Sequence, residues 1–430
     1  MLRNTIKYGG LIWALFFCWQ VNAQHTQSGY SVIGIGEVNW GGYTQNASMG
    51  GLGLSYNSRF FVNNMNPALM SSNFESVFQL GLSVDSRSVT GNTGTGNETY
   101  STVAGGFKDF GFVLPIKYAK WNMGFGLTPY STVNYGFTSM NTNGPDGSTA
   151  IANVEGRGGI DEVFWTNSLR LGNLQLGLKL SFLFGSIQTE DLFFLDGLTV
   201  TAFGNSLVQE RKSYSGVNAT LGFAYKLPLK GENQFLNLGG FYTPETEINQ
   251  TRLSTLQNQS TTGIIFSSDT LIANVVTKTT LPNRLGFGIS YEKSQALALG
   301  VDFQTQDWTQ YLDDGVADGA YGKSFRLAIG GEIIPNYQDL KLSKRISYRF
   351  GVHYERTPYL VNNQDVNDIG INVGTSIPLS AFWGVSHVNL GLTFGRRGNI
   401  TEDRIRENYF KINLGFSIQD LTWFSRGKFD

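Results

Sequence analysis

The stretch NLQLGLKLSFLF, from Asn173 to Phe184, decides the fold of this chain. From Leu174 onward every second residue is leucine or phenylalanine, and the residues between them as far as Ser181 are glutamine, glycine, lysine and serine. Successive side chains of a β-strand point to opposite faces, so this strand has one apolar face and one small or polar face. Such a strand fits a barrel wall that faces lipid on one side and a lumen on the other.

The same alternation recurs along the chain after residue 75. It is found over residues 78–84, 285–291, 297–303, 346–354, 388–394 and 410–418. A soluble β-sandwich alternates as well, but its strands usually have ~5–6 residues, whereas strands that cross a membrane need ~9–11. Because lipid offers no hydrogen-bond partners, a lipid-exposed sheet has to close on itself. The sequence therefore predicts an all-β protein built as an antiparallel transmembrane β-barrel.

The connections between these strands alternate between short and long. Short ones are predicted near residues 117–121, 172–173, 228–233, 292–295, 334–341 and 380–386, and long polar ones near 90–98, 140–148, 190–212, 248–280, 309–322, 357–366 and 397–405. This alternation predicts about fourteen strands with both ends of the barrel chain on one side, as bacterial outer-membrane barrels have. We expect the polar stretch 248–280 to contain an extension of the neighbouring strands.

The N-terminus has the pattern of a secretory signal. Basic residues precede the apolar run Leu11–Trp19, and a small-residue cleavage site follows at residues 21–23, so a signal peptide is predicted over residues 1–23. Its removal takes away Cys18, the only cysteine, and lowers the formal net charge from −1 by two units. The mature chain is expected to form no disulfide or thiolate metal site and to bind no nucleic acid.

Residues 24–74 do not alternate like the rest of the chain. Asn66 precedes Pro67, which is a favourable helix start with asparagine as the cap and proline at the first position. The apolar content of the stretch favours a plug inside the lumen over a segment that hangs free. We therefore predict a hatch over residues 24–74 and a barrel over residues 75–430.

Two stretches resemble a known family. Residues 66–69, Asn-Pro-Ala-Leu, follow a glycine-rich run, and residues 280–311 contain a Leu-Pro strand start, a short turn and a return strand with Asp302 and Trp308. These features, and the order of hatch and barrel, resemble the FadL family of outer-membrane long-chain fatty acid transporters and their hydrocarbon-uptake relatives. The resemblance implies passive uptake of hydrophobic compounds, such as long-chain fatty acids, through an apolar lumenal pocket gated by the hatch.

The resemblance also suggests site residues. The hatch and pocket candidates are Phe60, Phe61, Met65, Asn66, Pro67 and Leu69. The alternative is that the apolar ones only pack the plug against the wall and that Asn66 is only a helix cap. Pro129 is the candidate for an inward strand kink that makes a lateral exit, since proline removes a ladder hydrogen bond; a proline at a strand end remains the alternative. Expected partners are outer-membrane lipid and hydrophobic small molecules, with no cofactor and a monomeric barrel.

An outer-membrane enzyme is the rival class. The chain has 3 histidines, no Gly-x-Ser-x-Gly motif and no metal-ligand spacing, so we expect no catalysis. A plug also argues against a general porin. A barrel of this fold that acts as a structural or protein-secretion partner, without transport, remains open. Four inward charged residues are predicted to form lumenal charge pairs: Lys179, Asp302, Arg349 and Lys411.

Overall fold

The alternating stretches form one antiparallel sheet. The computed structural model describes residues 28–92, 96–141, 149–196, 205–260, 262–381, 384–400 and 404–420. Its strands are β1 (Glu37–Val38), β2 (Ser76–Asn92), β3 (Asn97–Lys117), β4 (Trp121–Asn141), β5 (Thr149–Leu171), β6 (Leu174–Asp196), β7 (Asn205–Pro228), β8 (Gln234–Thr243), β9 (Thr246–Gln259), β10 (Ile265–Leu281), β11 (Arg284–Lys293), β12 (Leu297–Asp307), β13 (Leu312–Asp313), β14 (Val316–Ala317), β15 (Lys323–Ile333), β16 (Ser347–Val361), β17 (Gln364–Ala381), β18 (Gly384–Arg397) and β19 (Arg406–Asp420).

The sheet closes because β2 pairs with β19 as well as with β3. β8 continues into β9 across Pro244, and β10 continues into β11 across Pro282, so each pair makes one wall strand. With these joined, the wall is a closed antiparallel barrel of 14 strands, and the predicted fold class is confirmed. The predicted signal peptide, residues 1–23, lies outside the described residues.

Helices are few and short in the part of the chain that the structure describes. Their bounds are Gly29–Val32, Thr44–Ala47, Pro67–Ser72, Trp308–Gln310 and Leu342–Arg345. None of them is long and apolar enough to cross a membrane.

The two faces of the wall follow the sequence pattern. In β6 every second residue from Leu176 through Leu180 to Phe182 is exposed by 36% to 48%, whereas Gln175 and Ser181 are buried. The apolar face therefore points outward, where lipid would cover it, and the small or polar face points into the lumen.

Some predicted connections differ from the structure. The stretch 190–212, predicted as a long polar connection, is strand to Asp196 and again from Asn205. The stretch 357–366, predicted as a long polar loop, is strand except for a turn of Asn362 and Asn363, because β16 runs to Val361 and β17 starts at Gln364. Both asparagines have positive φ, 51° and 57°, as a two-residue hairpin turn of type I′ requires. Tyr359 and Val366 on either side of the turn are buried in the aromatic cluster at the long-loop end, so burial as well as strand pairing holds this hairpin.

The connection after β15 differs in the opposite direction. The sequence predicts a short connection near 334–341, but it extends over residues 334–346 and includes the helix Leu342–Arg345. The stretch 248–280, in contrast, contains the expected extension, because β9 and β10 pair along it from Thr246 to Leu281.

The wall has unequal height. We call the barrel end with the chain reversal at residues 172–173 the short-turn end, and the end with residues 308–322 the long-loop end. β5, β6 and β7 have 23, 23 and 24 residues, whereas β12 and β15 have 11 each. The wall therefore rises much further at the long-loop end on the side of β5–β7.

Candidate functional site in the barrel lumen

The N-terminal segment, residues 28–74, lies against the lumenal face of the wall. A Cβ atom placed on Gly177 of β6 would lie 2.3 Å from the backbone nitrogen of Ala68. A Cβ on Gly351 of β16 would lie 2.2 Å from the carbonyl carbon of Met49. Distances under 3.0 Å are essentially never found for real Cβ atoms, so only glycine permits this approach of segment to wall.

Asn66 and Pro67 begin a helix, as the sequence predicts. The Asn66 side chain accepts a hydrogen bond from the backbone N–H of Ala68 at 3.1 Å, which is the geometry of a helix cap. Its amide nitrogen donates to the carbonyls of Leu54 at 2.7 Å and Phe223 at 2.9 Å. Asn66 therefore caps the helix and also ties it to β7.

Phe60 and Phe61 meet at the short-turn end. Both are buried, and their rings lie 4.9 Å and 5.2 Å from the imidazole of His387. The guanidinium of Arg349 lies 5.0 Å from the Phe61 ring, within the range of a cation–π contact. These two candidates share one aromatic and cationic environment.

Met65 and Leu69 lie in two other clusters. Met65 packs with Leu54 and Phe241, and Leu69 packs with Ala224. Met65 also lines a small cavity of about 50 Å³ that Pro129 shares. The structure thus brings Met65 close to the predicted kink, but it distributes the apolar candidates over three environments.

Asp302 anchors the N-terminal segment. One oxygen of its buried carboxylate accepts hydrogen bonds from the backbone N–H groups of Gly53 at 2.6 Å and Leu54 at 2.7 Å. The sequence predicts a charge pair for this residue, and that prediction is wrong. The lumen places two backbone donors opposite Asp302, which stabilise a carboxylate without a cation.

Trp308, the second residue that the resemblance singles out, belongs to an aromatic cluster that contacts the N-terminal segment. Its ring lies 5.2 Å from that of Tyr321 and 5.8 Å from that of Tyr311. The Tyr321 hydroxyl in turn accepts a hydrogen bond from the backbone N–H of Ile35 at 3.1 Å. The aromatic cluster therefore holds the start of the segment at the long-loop end.

The other three predicted charge pairs are confirmed. Their partners and nitrogen–oxygen distances are Lys179 with Glu162 at 2.8 Å, Arg349 with Glu332 at 2.6 Å and Lys411 with Asp85 at 3.6 Å.

A larger charged cluster lies near the long-loop end, where the N-terminal segment meets β2, β18 and β19. Arg87 of β2 contacts Glu37, Glu407 and Asp85, each at 3.0 Å. Arg397 of β18 contacts Glu37 as well. Arg87 and Glu407 are almost fully buried, so each depends on the others for compensation of its charge. Sequence reasoning missed this cluster because its members come from strands far apart in the chain.

The first described residues join the same cluster. The hydroxyl of Ser28 and the backbone N–H of Gly29 donate to the Glu407 carboxylate at 2.9 Å and 3.0 Å. The Tyr30 hydroxyl donates to the carbonyl of Ile405 at 2.6 Å. Burial raises the pKa of Tyr30 to about 12, so this hydroxyl stays a neutral donor at physiological pH.

The barrel wall is open on one line between β3 and β4. Their pairing ends at Phe110 and Leu127, and among the described residues β3 pairs only with β2 from there to its other end. We call this opening the wall seam. On the β4 side of the seam, β1 of the N-terminal segment pairs with the wall, with Val38 opposite Ser131. The segment thus covers part of the edge that the wall leaves free.

Pro129 lies at the seam. The pairing of β4 with β5 shifts register between Pro129 and Ser131, so Tyr130 has no partner in β5. This is an irregularity in the middle of a strand that runs from Trp121 to Asn141, and not at a strand end. Missing ladder bonds of this kind bend a strand locally.

Behind the seam lies a cavity of about 390 Å³. Residues from both sides of the seam line it, including Phe107 of β3 and Pro129 of β4. Much of its lining is charged, with Lys108, Arg326, Glu355, Asp368 and Lys411 among the contributors. The cavity can therefore hold a polar group as readily as an apolar one.

His353, the inward histidine, has partners for both ring nitrogens. Nδ1 lies 3.0 Å from Asn372, and Nε2 lies 3.3 Å from Asp368 and 3.2 Å from the Tyr409 hydroxyl. Within the described ranges, no group of three or more His, Cys, Asp or Glu residues is placed to hold a metal ion. The hydrogen bonds of His353 are those of a lumenal residue in a polar network.

A family model, described as BamG, matches residues 1–430. No curated protein matches the chain. Solved structures share the fold. The monoaromatic hydrocarbon channel CymD matches with a TM-score of 0.54 and 15% identity, over 89% of this chain and 97% of that one.

Two further structures match in the same way. The toluene transporter TodX of Pseudomonas putida has a TM-score of 0.57 and 17% identity, over 89% of this chain and 99% of its own. A FadL homologue of Pseudomonas aeruginosa has a TM-score of 0.59 and 13% identity, over 87% and 97%. At these identities the likeness concerns the fold, which is that of FadL-type outer-membrane channels.

Proposed function

Since this chain belongs to the BamG family and has the fold of FadL-type channels, we propose that it is an outer-membrane channel for passive uptake of hydrophobic compounds. Long-chain fatty acids are the expected substrates, and the N-terminal segment is the gating hatch. Two of the structures that share the fold are described as a hydrocarbon channel and a toluene transporter, which supports this class of substrate.

The observation that carries the proposal is the wall seam with a cavity behind it. A hydrophobic solute in a closed barrel could leave only through the polar ends, whereas a gap in the wall at the height of the lipid belt lets it pass sideways into lipid. The cavity of about 390 Å³ has lining residues on both edges of the gap. We propose Pro129 as the strand irregularity that keeps this lateral exit open.

The moving part of the hatch is proposed to be its β1 end. β1 pairs with β4 over only Glu37 and Val38, so little ladder is lost when it leaves, and the main cost of its release is the loss of the ion pairs of Glu37 with Arg87 and Arg397. The part around Asn66 is tied to wall glycines and to Asp302 and would stay in place. Displacement of residues 37–42 would therefore enlarge the cavity towards the seam, with Met65 of the small neighbouring cavity as the nearest apolar candidate. Phe60, Phe61 and Leu69 would be ligand contacts only further towards the short-turn end.

A role as a structural or protein-secretion partner, with no transport, is the second candidate. The observation that favours it is the charged lining of the cavity, with Lys108, Arg326 and Glu355 facing a path that an apolar solute would use. Desolvation of such groups by an apolar ligand costs free energy. The close backbone contacts at the wall glycines also suit a segment that never moves.

A reversible lock separates the two candidates. Val38→Cys with Ser131→Cys places cysteines at paired positions of β1 and β4, and Cys18 is the only native cysteine. Oxidation would fix the hatch to the wall, and we expect uptake of labelled oleate by cells to be lost and to return on reduction.

The matched control joins two wall strands without touching the segment. Leu390→Cys with Leu414→Cys pairs β18 with β19, and its oxidised form should transport like the unmodified protein. Uptake that is unaffected by the hatch lock would contradict gating. Equal uptake in cells with and without the protein would contradict transport and favour the partner role.

A further inference from the structure

β10 has one edge without a partner. It pairs with β9 along its length, from Ile265 to Leu281. On the other edge it pairs with β13 at Thr279 and Thr280, and the Lys278 carbonyl accepts a hydrogen bond from the backbone N–H of Asp314 at 3.0 Å. No other strand within the described ranges pairs with residues 265–278 on that side.

The unequal height of the wall explains this free edge. β11, the lower part of the same wall strand, pairs with β12, which ends at Asp307. β10 continues past that level towards residue 265, whereas its neighbour turns away. At about 3.4 Å per residue, the thirteen residues from 265 to 277 give a free edge on the order of 45 Å long, which ends at the bond between Lys278 and Asp314. We call residues 265–278 the β10 edge.

Large apolar side chains are exposed along the β10 edge. Phe266 is exposed by 68% and Val276 by 67%, and Ile265, Leu271 and Val275 by half or more. Natural sheet proteins protect such edges with charges, prolines or bulges. This edge has two charged residues in its fourteen positions and no proline. Exposed apolar area of this kind marks an interaction surface.

Bulges divide the edge without removing it. The register with β9 shifts around Phe266, around Leu271 and between Ile272 and Val275. The regular runs between the shifts are residues 267–270 and 275–278. A regular, flat strand cannot pair along the whole bulged edge, whereas a strand whose register matches the bulges can. The bulges therefore select a partner instead of closing the edge.

We propose that the β10 edge receives an extended segment of another polypeptide, which adds as a strand to the sheet. A row of unpaired backbone N–H and C=O groups is complementary to an extended chain, and exposed apolar side chains on the edge supply pockets for alternate residues of the incoming strand. Asp269 has no ion-pair partner in the described part of the chain, so the segment should carry a basic residue opposite it. This inference does not rest on the transport function.

A second copy in the same membrane does not fit the edge. Two copies related by a two-fold axis along the membrane normal keep the same direction for any strand that rises from the membrane. Their β10 edges could meet only in parallel and not as the more stable antiparallel pair. The occupant is therefore a different chain at the long-loop end.

Residue-resolved hydrogen–deuterium exchange tests the proposal. In purified barrels in lipid nanodiscs, alternate amides of residues 275–278 should exchange fast, because those not bonded to β9 have no partner. In native outer-membrane fragments, exchange of the same amides should be slower by about tenfold or more, as it is for amides of paired strands. Alternation distinguishes an added strand from a protein that merely covers the surface.

Two variants make the test specific. Leu271→Lys with Val276→Lys places charges on the β10 edge and should abolish the slowing in native membranes. The control is Phe193→Lys, which changes an exposed apolar residue of β6, a strand that is paired on both sides. It should leave the slowing intact.

A photo-crosslinker at Val276 identifies the occupant. The expected adduct joins Val276 to one contiguous extended segment of another protein, and the double lysine variant should lose it. Fast exchange of residues 275–278 in native membranes would overturn the proposal. So would an adduct to a second copy of this chain, or slowing that the double lysine variant retains.

Discussion

Asp302 gives the sharpest prediction about the attachment of the N-terminal segment. One oxygen of its carboxylate accepts hydrogen bonds from the backbone N–H groups of Gly53 and Leu54 in a buried site. Asp302→Ala leaves both donors without a partner, and each such loss costs about 1–3 kcal/mol. The sum of about 2–6 kcal/mol corresponds to a roughly 30-fold to 10⁴-fold increase in the local opening constant.

Hydrogen–deuterium exchange of the purified barrel measures this opening directly. The amides of Gly53 and Leu54 should exchange faster in Asp302→Ala by that factor, whereas amides in the β18–β19 ladder should be unchanged. Asp302→Asn is the matched control, because its amide keeps an acceptor oxygen and should stay within about tenfold of the native protein. Equal exchange in the alanine variant and the native protein would refute the anchoring role, and so would an asparagine variant as fast as alanine.

Three further changes test other contacts. Gly351→Ala should push the segment off β16 at a cost of about 1–3 kcal/mol, seen as faster tryptic cleavage after Arg59, and unchanged cleavage would contradict the close approach. Arg87→Met removes a buried cation that contacts three carboxylates and leaves Glu407 with only Arg397, at 3.9 Å, so the unfolding temperature of the barrel should fall, with a loss of up to about 3–5 kcal/mol; a barrel of native stability would show that the cluster is not coupled. Pro129→Ala should lower oleate uptake while the unfolding temperature stays the same, and normal uptake would remove the lateral exit from the proposal.

The barrel could be predicted from the sequence because lipid and lumen impose opposite demands on alternate residues. That signal weakens beyond the lipid belt, where the outer face of a strand meets water. The asparagines, glutamine and aspartate within 357–366 indicate a loop, yet the backbone continues as strand to Val361 and from Gln364, and Tyr359 and Val366 are buried. The polarity of a residue indicates whether its side chain meets water or lipid. Whether its backbone is part of a strand depends on hydrogen bonds to the neighbouring strand.

The site was predictable only where its signal is local. Asn66 and Pro67 specify a helix start by themselves, and the structure has that helix. The partners of Asp302 are backbone groups of the segment, about 250 positions earlier in the chain. The cluster around Arg87 likewise joins three strands of the wall, β2, β18 and β19, to β1 of the segment. Such pairings cannot be predicted from the periodicity of a single strand, because they depend on which strands of the closed wall lie opposite the segment.

The bond between Ser28 and Glu407 also bears on how the molecule assembles. It joins residues 379 positions apart, and Glu407 belongs to the strand that closes the sheet against β2. Contacts of such separation form late, since the entropy of closing a long loop must be lost before they contribute. The bonds of Ser28 and Gly29 to Glu407 can therefore form only when the last strand is in place. The start of the segment is also held by a hydrogen bond from the Ser28 backbone N–H to the Asn134 carbonyl of β4 and by the Tyr321 contact with Ile35. A chain that stops before β19 would keep these earlier contacts and lose the attachment that closure of the barrel adds.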